Sequence, residues 1–212
     1  MSDTDALIAQ LSERLEPARP LRKPWLRAAM WTAFATVVIA LLAIFFGTRD
    51  DIAHALHEAK FVMPLVGSWL TGLTAAIAAF EVSLPDRSRR WLWLPLAPVL
   101  LWSSGFAYGC LANWVEIPEG ADIPSGAMDC IGTILGVSAA LIVVLLPMLR
   151  RVKTLRPGLT AWLGCLAVSG FADTAHLLVD TEQASLLALT INLVPALILV
   201  PLAGILGRRI VV

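Results

Sequence analysis

Charged side chains are scarce in this sequence. Asp, Glu, Lys and Arg make up only 15% of its 212 residues, whereas 58% are hydrophobic and the mean hydropathy is +0.78. This composition provides too little polar surface to coat a soluble globule of this length, so it excludes that class and predicts a membrane protein. The formal net charge of zero hides a strong segregation of the few charges along the chain.

Catalytic and cofactor-binding motifs are also missing. The sequence contains no HExxH zinc motif, no nucleophile elbow and no glycine-rich phosphate loop. A membrane-bound enzyme would need a cofactor site, and no residue pattern supplies one. We therefore expect a protein that is not an enzyme and that holds neither a cofactor nor a metal.

Long uncharged stretches, by contrast, are abundant. A membrane-spanning helix needs about 20 predominantly apolar residues. Five stretches of that length contain no Asp, Glu, Lys or Arg, and a sixth contains only Asp173. Each stretch is continuous instead of alternating, which favours helices over strands, so the predicted fold is all-α, a six-span transmembrane helical bundle. The predicted spans are residues 28–48, 61–80, 91–115, 130–149, 157–179 and 183–207.

Basic residues predict how this bundle is oriented. Of the 16 Lys and Arg residues, 14 lie in the N-terminal tail, the second and fourth loops and the C-terminus, and only Arg49 and Lys60 lie elsewhere. The positive-inside rule then places both termini in the cytoplasm. The first span lacks a small-x-small cleavage site, which favours an uncleaved anchor over a signal peptide. The predicted layout is a cytoplasmic segment at residues 1–27, a transmembrane domain at 28–207 and a cytoplasmic tail at 208–212.

The N-terminal tail has the pattern of an amphipathic helix. Leu7, Ile8, Leu11 and Leu15 recur at helical spacing, and prolines follow them. A helix of about a dozen residues is marginal alone in water, so it requires a partner surface. The pattern leaves two partners open, the inner face of the membrane and another protein.

Two ionisable residues lie within the fifth predicted span. Asp173 and His176 are three positions apart and therefore share a helix face, and ionisable groups at such depth are functional candidates. The plainer interpretation, which the sequence favours because no third partner is evident, is that they lie near the outer end of the span and meet water or each other. The alternative function, of a different class, is a small transporter or channel that uses Asp173, His176 and Asn192.

Two of the three cysteines bracket an acidic loop on the predicted outer side. Cys110 and Cys130 stand at the ends of the third and fourth spans, and that side of a bacterial inner membrane is oxidising. A disulfide between them is feasible, but the sequence does not define their distance. The competing interpretation is that a cysteine in lipid is a small apolar filler, which we predict for Cys165.

Glycine pairs in the third and fourth spans indicate close helix packing. Gly105 and Gly109, like Gly132 and Gly136, have the small-xxx-small spacing that lets helices approach each other. We expect these glycines to serve the packing of the bundle instead of a conduction path.

Several short stretches, taken in order, resemble a known family. They are "DALIAQL" followed by "ARPLRKPWLR" at the N-terminus, "CIGTIL" at the start of the fourth span and "LRPGLTAWLGCLAVSGFADTAHLL" across the fifth. In order, spacing and polarity of the spans, the chain is similar to the NrsF-type membrane proteins, which are negative regulators (anti-sigma factors) of extracytoplasmic-function sigma factors in proteobacteria.

The resemblance implies a function for the N-terminal tail. The tail would hold an extracytoplasmic-function sigma factor at the inner membrane until an envelope, oxidative or metal stress signal releases it. Leu7, Ile8, Leu11 and Leu15 would form the contact stripe, with Arg14 at its rim.

The resemblance also implies sensing by cysteines near the outer face. Cys130 matches the first of the family's cysteines. The second is expected directly after a histidine near the end of the fifth span, where this sequence has Leu177 after His176. Either Cys110 takes the place of the second cysteine, or the signal is not based on thiols.

Overall fold

The computed structural model describes residues 3–13, 23–49, 51–84, 86–113, 127–150 and 156–179. All regular secondary structure within these ranges is helical, which confirms the predicted all-α class for this part of the chain. The elements are α1 (Asp3–Glu13), α2 (Pro24–Phe46), α3 (Ile52–Ala55), α4 (Ala59–Val82), a 3-10 helix (Arg89–Trp93), α5 (Leu96–Asn113), α6 (Ala127–Arg150) and α7 (Pro157–Val179).

Most helix boundaries follow local signals. Helix α2 begins earlier than its predicted span because Pro24 takes the first helical position, where a missing N–H costs nothing. The helix ends at Phe46, because the next residue, Gly47, has a φ of 82°, which cannot continue a right-handed helix.

The helix of the predicted third span, residues 91–115, begins later than the span itself. Residues 89–93 form a 3-10 helix, and α5 begins only at Leu96. Pro95 separates the two elements because it has no N–H to continue the preceding helix, while its carbonyl accepts the N–H of Val99 at 2.9 Å.

Within the described residues, three helices are long and apolar enough to cross a membrane, a finding that is compatible with a membrane protein. They are Pro24–Phe46, the Phe61–Val82 part of α4, and Pro157–Val179. The predicted sixth span at residues 183–207, the C-terminal tail at 208–212 and Leu15 lie outside the described residues. The six-span count therefore stays a prediction.

Helix α4 lies at the centre of the described bundle, where it packs against α7, α5 and α2. Its contact face is lined by alanines, which lets neighbouring helices approach closely. Large side chains fill the remaining space: Trp31 of α2 meets Phe171 of α7 edge to face, with ring centroids 5.6 Å apart. The buried residues at this interface include Ala75, Ala76, Phe80, Ala167, Phe171, Ala172 and Ala175.

The closest helix approach, between α4 and α7, depends on glycine. A Cβ placed on Gly170 would lie 2.6 Å from the carbonyl oxygen of Ser68 and 2.7 Å from the amide nitrogen of Gly72. Any larger residue at position 170 would push the two backbones apart. This contact brings the hydroxyl-bearing face of α4 against α7.

The predicted packing role is confirmed for one of the glycines named from the sequence. A Cβ on Gly105 would lie 2.7 Å from the ring of Pro64, so α5 contacts α4 at this glycine. No described atom lies within 4 Å of a Cβ placed on Gly132 or Gly136. Their role in packing, and that of Gly109, whose surroundings are not described, stays a prediction.

Candidate functional site

The N-terminal segment forms a helix, as its periodicity predicts, and presents apolar side chains. In α1, Leu7 and Ile8 are 54% and 59% exposed. Leu11 belongs to the same helix, although its side-chain surroundings are not described, and Leu15 lies beyond the described range. Because an 11-residue helix is too short to be stable alone in water, this exposed stripe calls for a partner.

The two ionisable residues of α7 are buried, so the structure does not show the contact with water that the sequence favoured, and the other contact that it allowed, between the two side chains, stays a prediction. Asp173 is 1% exposed and His176 is 4% exposed. Oδ2 of Asp173 accepts a hydrogen bond of 2.9 Å from Nε1 of Trp102, which lies on α5. Trp102 is thus a partner that the sequence did not reveal. It joins α5 to α7 in the interior of the bundle.

A second polar link joins α4 to α7 beside Asp173. The hydroxyl groups of Ser68 and Thr174 lie 2.9 Å apart, both are buried, and Thr174 also donates to the carbonyl of Gly170 at 2.8 Å. Hydrogen bonds between helices in a membrane contribute about 0.6 kcal/mol on average. Together with the Trp102–Asp173 bond, this contact forms a buried polar cluster that ties α7 to both α4 and α5.

The polar cluster is not fully hydrogen-bonded among the residues that the structure describes. Oδ1 of Asp173 is buried and has no hydrogen-bond partner in those ranges; the same holds for Oγ1 of Thr71, which lies one turn after Ser68 on α4. An unpaired buried polar group is costly, which marks this cluster as a place of functional interest. Within the same ranges, no three His, Cys, Asp or Glu side chains come together as a metal site. Asn192, the third residue of the transport alternative, lies outside them.

A weak sequence signal for this cluster exists. Ser68 and Thr71 are three positions apart on α4, so they share one face of an otherwise apolar helix, and Thr174 directly follows Asp173. This spacing predicts a hydroxyl-bearing stripe. It does not predict which helix the stripe meets. Without that pairing, Trp102 could not be identified from the sequence as the partner of Asp173, nor Ser68 as the partner of Thr174.

At the end of α4, a buried arginine joins three helices. Arg27, in the first turn of α2, is only 7% exposed. Its guanidinium lies 4.9 Å from the ring centroid of Phe80 on α4 and donates a hydrogen bond to the carbonyl oxygen of Met148 on α6. We call these contacts the Arg27 junction. The sequence shows Arg27 only as one of several basic residues of the tail.

At the start of α4, a second buried arginine makes a similar contact. Arg49 places its guanidinium 4.9 Å from the ring centroid of Phe61, and its Nε lies 2.6 Å from Oδ1 of Asp51. Its backbone N–H donates to the carbonyl of Leu178 at the end of α7, at 3.2 Å. We call these contacts the Arg49 junction. The hydrogen bonds from Arg49 hold the pKa of the exposed Asp51 carboxyl below its ordinary value.

The cysteines take the helix positions expected from the sequence. Cys110 lies near the end of α5 and Cys130 in the first turn of α6, so they bracket the loop between the two helices. Their side chains are not described, and a bridge between them stays a prediction. Cys165 is a free, half-buried thiol in α7, in keeping with its predicted role as a small apolar filler.

These features describe an all-helical protein with membrane-type helices and an exposed amphipathic helix at its N-terminus. The model of a protein family, described as "NrsF: Negative regulator of sigma F", matches residues 11–211. Because the match covers most of the chain, the chain belongs to this family, and the resemblance drawn from its sequence is confirmed. No curated protein and no solved structure matches the chain.

Membership of the family identifies the chain coarsely as a negative regulator of a sigma factor, and a sigma factor as its partner. It supports a regulator over the transport alternative. The match begins at residue 11, so it includes Leu11 and Leu15 but not Leu7 and Ile8. The exposed part of α1 is therefore an observation independent of the family match.

Proposed function

We propose that this protein is a transmembrane anti-sigma factor. Its N-terminal segment binds an extracytoplasmic-function sigma factor and holds it at the bacterial inner membrane, away from RNA polymerase. The bundle spans the lipid bilayer six times, with both termini in the cytoplasm. The observation that carries the proposal is the exposure of Leu7 and Ile8 on α1, the helix that precedes the bundle in the chain.

An apolar stripe of this kind supplies substantial binding free energy. Burying a Leu or Ile side chain contributes roughly 1.5–3 kcal/mol. Leu7 and Ile8, extended by Leu11 and Leu15, fit the mode in which an amphipathic helix lays its apolar face into a groove of a protein partner. Arg14 follows as a charged residue at the rim of this contact.

The charge of α1 favours a protein over the membrane as the partner. The helix contains Asp3, Asp5 and Glu13 and no Lys or Arg. Helices that lie on the inner membrane surface usually carry basic residues, because the lipid headgroups there are negatively charged. An acidic helix is repelled by that surface, whereas a basic patch on a sigma factor would attract it.

We further propose that an envelope, oxidative or metal stress signal releases the sigma factor through the outer end of the bundle. Cys130 and Cys110 are the candidate sensing residues, because they lie on the two helices that flank one loop, and the proposed orientation puts that loop on the oxidising side. Formation of a disulfide would transfer two electrons from the two thiols to an oxidant and release two protons. The bond would restrain how α5 and α6 pack.

Capture of sigma factors by the full-length protein tests this proposal. Purified extracytoplasmic-function sigma factors of the source organism are added to the protein in native membranes, and bound sigma factor is measured. We expect one to bind, and Leu7→Glu to weaken the binding roughly tenfold or more. The matched control is Gln10→Glu, which adds the same charge at an exposed polar position of the same helix.

Two arms of this experiment separate the parts of the proposal. If the full-length protein captures no sigma factor, the anti-sigma function is refuted; if Leu7→Glu and Gln10→Glu weaken capture equally, the apolar stripe is not the contact. A thiol oxidant, diamide, is then added to the captured complex. Release from the wild-type protein but not from Cys130→Ser supports thiol sensing, and equal release from both refutes it.

A further inference from the structure

The burial of Arg27 is unexpected for its position. It lies in the first turn of α2, a turn that contains no acidic residue, and the positive end of the α2 dipole disfavours a cation there. A guanidinium at a helix end would ordinarily extend into water. Instead, Arg27 turns into the bundle and is 7% exposed. Its partners on other helices must offset these costs.

Those partners are well suited to a cation. Met148 lies in the last turn of α6, where carbonyl groups have no donor within the helix and the helix dipole is negative. The face of Phe80 adds a cation–π contact. One side chain therefore connects the start of α2, the end of α6 and the end of α4. One turn further along α2, Trp31 donates a long hydrogen bond of 3.4 Å to the carbonyl of Leu141 on α6.

The Arg27 junction also occupies a distinctive place along the chain. The chain that leaves α1 enters the bundle at Pro24, one turn before Arg27. Cys130 lies in the first turn of helix α6, and the helix ends two residues after Met148. The 24 residues of α6 extend about 36 Å. A single helix thus connects the candidate sensing end of the bundle with the residue at which the N-terminal segment enters it.

We propose that Arg27 is the joint through which a movement of α6 is passed to the sigma-binding segment. This inference depends on the proposed function. A negative regulator represses in the absence of a signal, and the contacts of Arg27 with Met148 and Phe80 belong to that resting arrangement. A shift of α6 breaks them, frees the start of α2 and favours release of the sigma factor. Arg27 acts as a positioning residue and does not contact the sigma factor itself.

The test measures sigma-factor binding and a sigma-dependent reporter in cells that carry the full-length protein, without any inducer. Arg27→Met removes the guanidinium, and Phe80→Leu removes the aromatic face while Arg27 remains. We expect each to weaken apparent sigma-factor affinity roughly fivefold or more, at equal amounts of folded protein in the membrane, and to raise the reporter. The double variant should lower sigma-factor affinity by little more than Arg27→Met alone, because that substitution already removes the contact with Phe80.

Matched controls come from the other end of α4. Arg49→Met and Phe61→Leu make the same chemical changes in the Arg49 junction, and we expect affinity and basal reporter activity to stay within twofold of wild type. Arg27→Lys retains the positive charge but loses the planar guanidinium. Its sigma-factor affinity should lie between those of Arg27→Met and the wild type.

The outcomes distinguish failure of the joint from failure of the proposed function. If Leu7→Glu raises the reporter but Arg27→Met and Phe80→Leu do not, the joint is refuted and the anti-sigma function stands. If Leu7→Glu also has no effect, the proposed function fails first. Equal effects at both ends of α4 would show a general loss of packing and overturn the joint. Should Arg27→Met fail to accumulate, Phe80→Leu and Arg27→Lys decide by the same criteria.

Discussion

The two ends of helix α4 carry the same pair of residue types in different settings. At each end an arginine guanidinium lies 4.9 Å from a phenylalanine ring centroid, Arg49 over Phe61 and Arg27 over Phe80. The guanidinium of Arg49 is paired with Asp51, two positions along its own loop. That of Arg27 donates to Met148, which lies 121 positions away on another helix. The described side-chain contacts of Arg49 thus stay within its own loop and the start of α4, whereas those of Arg27 connect three helices.

The two phenylalanine rings also differ in their surroundings. Phe80 belongs to the main hydrophobic core with Trp31 and Phe171, whereas Phe61 is buried outside that core. A change at Phe80 therefore reaches α2, α4 and α7 together, and a change at Phe61 is absorbed near one loop. The comparison teaches that the structural effect of losing a cation–π pair depends on the other contacts that the ring and the guanidinium make.

The largest effect that can sharpen this comparison is the loss of the Phe80 ring. Phe80→Ala removes a fully buried ring from the core, and we expect a loss of about 3–5 kcal/mol in the free energy of unfolding. Phe61→Ala should cost less, because fewer core neighbours surround the cavity. Unfolding in mixed micelles with increasing dodecyl sulfate measures both. Equal losses would show that the two ends are equivalent.

A smaller effect is expected midway between the two ends, in the buried polar cluster. Ser68→Ala and Thr174→Val each remove one side of the hydrogen bond between α4 and α7. We expect a coupling free energy of about 0.6 kcal/mol, and at most about 1.7 kcal/mol, from a double-mutant cycle in the same unfolding assay. A coupling of zero would mean that the close contact at Gly170, and not this bond, holds the two helices together.

The smallest expected effect is a change in stability at low pH, and it concerns only the Arg49 end of α4. Because Arg49 lowers the pKa of Asp51 in the folded protein, the contribution of Asp51 to stability is complete above its ordinary pKa of 3.8 and is lost as the pH falls through the lower folded value. Asp51→Asn should remove this part of the pH dependence below about pH 4 and change little near neutrality. Melting temperatures of the two proteins across that range measure it; parallel pH profiles would contradict the role of the pair.

Local features of the fold could be predicted because their causes are local. The helix over α1 follows from the spacing of Leu7, Ile8 and Leu11, and α7 begins and ends where its apolar stretch does. The later start of α5, at Leu96 and not at residue 91, has an equally local cause. Pro95 lies inside a continuous apolar run, and hydropathy alone does not register its missing N–H.

The environment of the buried polar residues could not be predicted in the same way. Asp173 and His176 stand out in the sequence, but their burial depends on neighbours that come from α4 and α5. Trp102 lies 71 positions from Asp173, and many apolar helices could have faced it equally well. Without knowledge of that pairing, exposure at the end of a span was the simpler expectation.

The sequence by itself determined the helical class of the described part of this protein, because its apolar runs are continuous and not alternating; its scarcity of charge predicts an apolar surrounding, and the leucine pattern of its tail predicts a partner. These are consequences of composition and period, which do not depend on which helix meets which. Only the tertiary structure decided three contacts: Trp102 with Asp173, Ser68 with Thr174, and the hydrogen bond from Arg27 to the carbonyl of Met148 on α6. Contacts of this kind depend on how closely two helices approach at their glycines and on which hydrogen-bond donors then face which acceptors. Both are properties of a pair of helices and not of one segment of sequence.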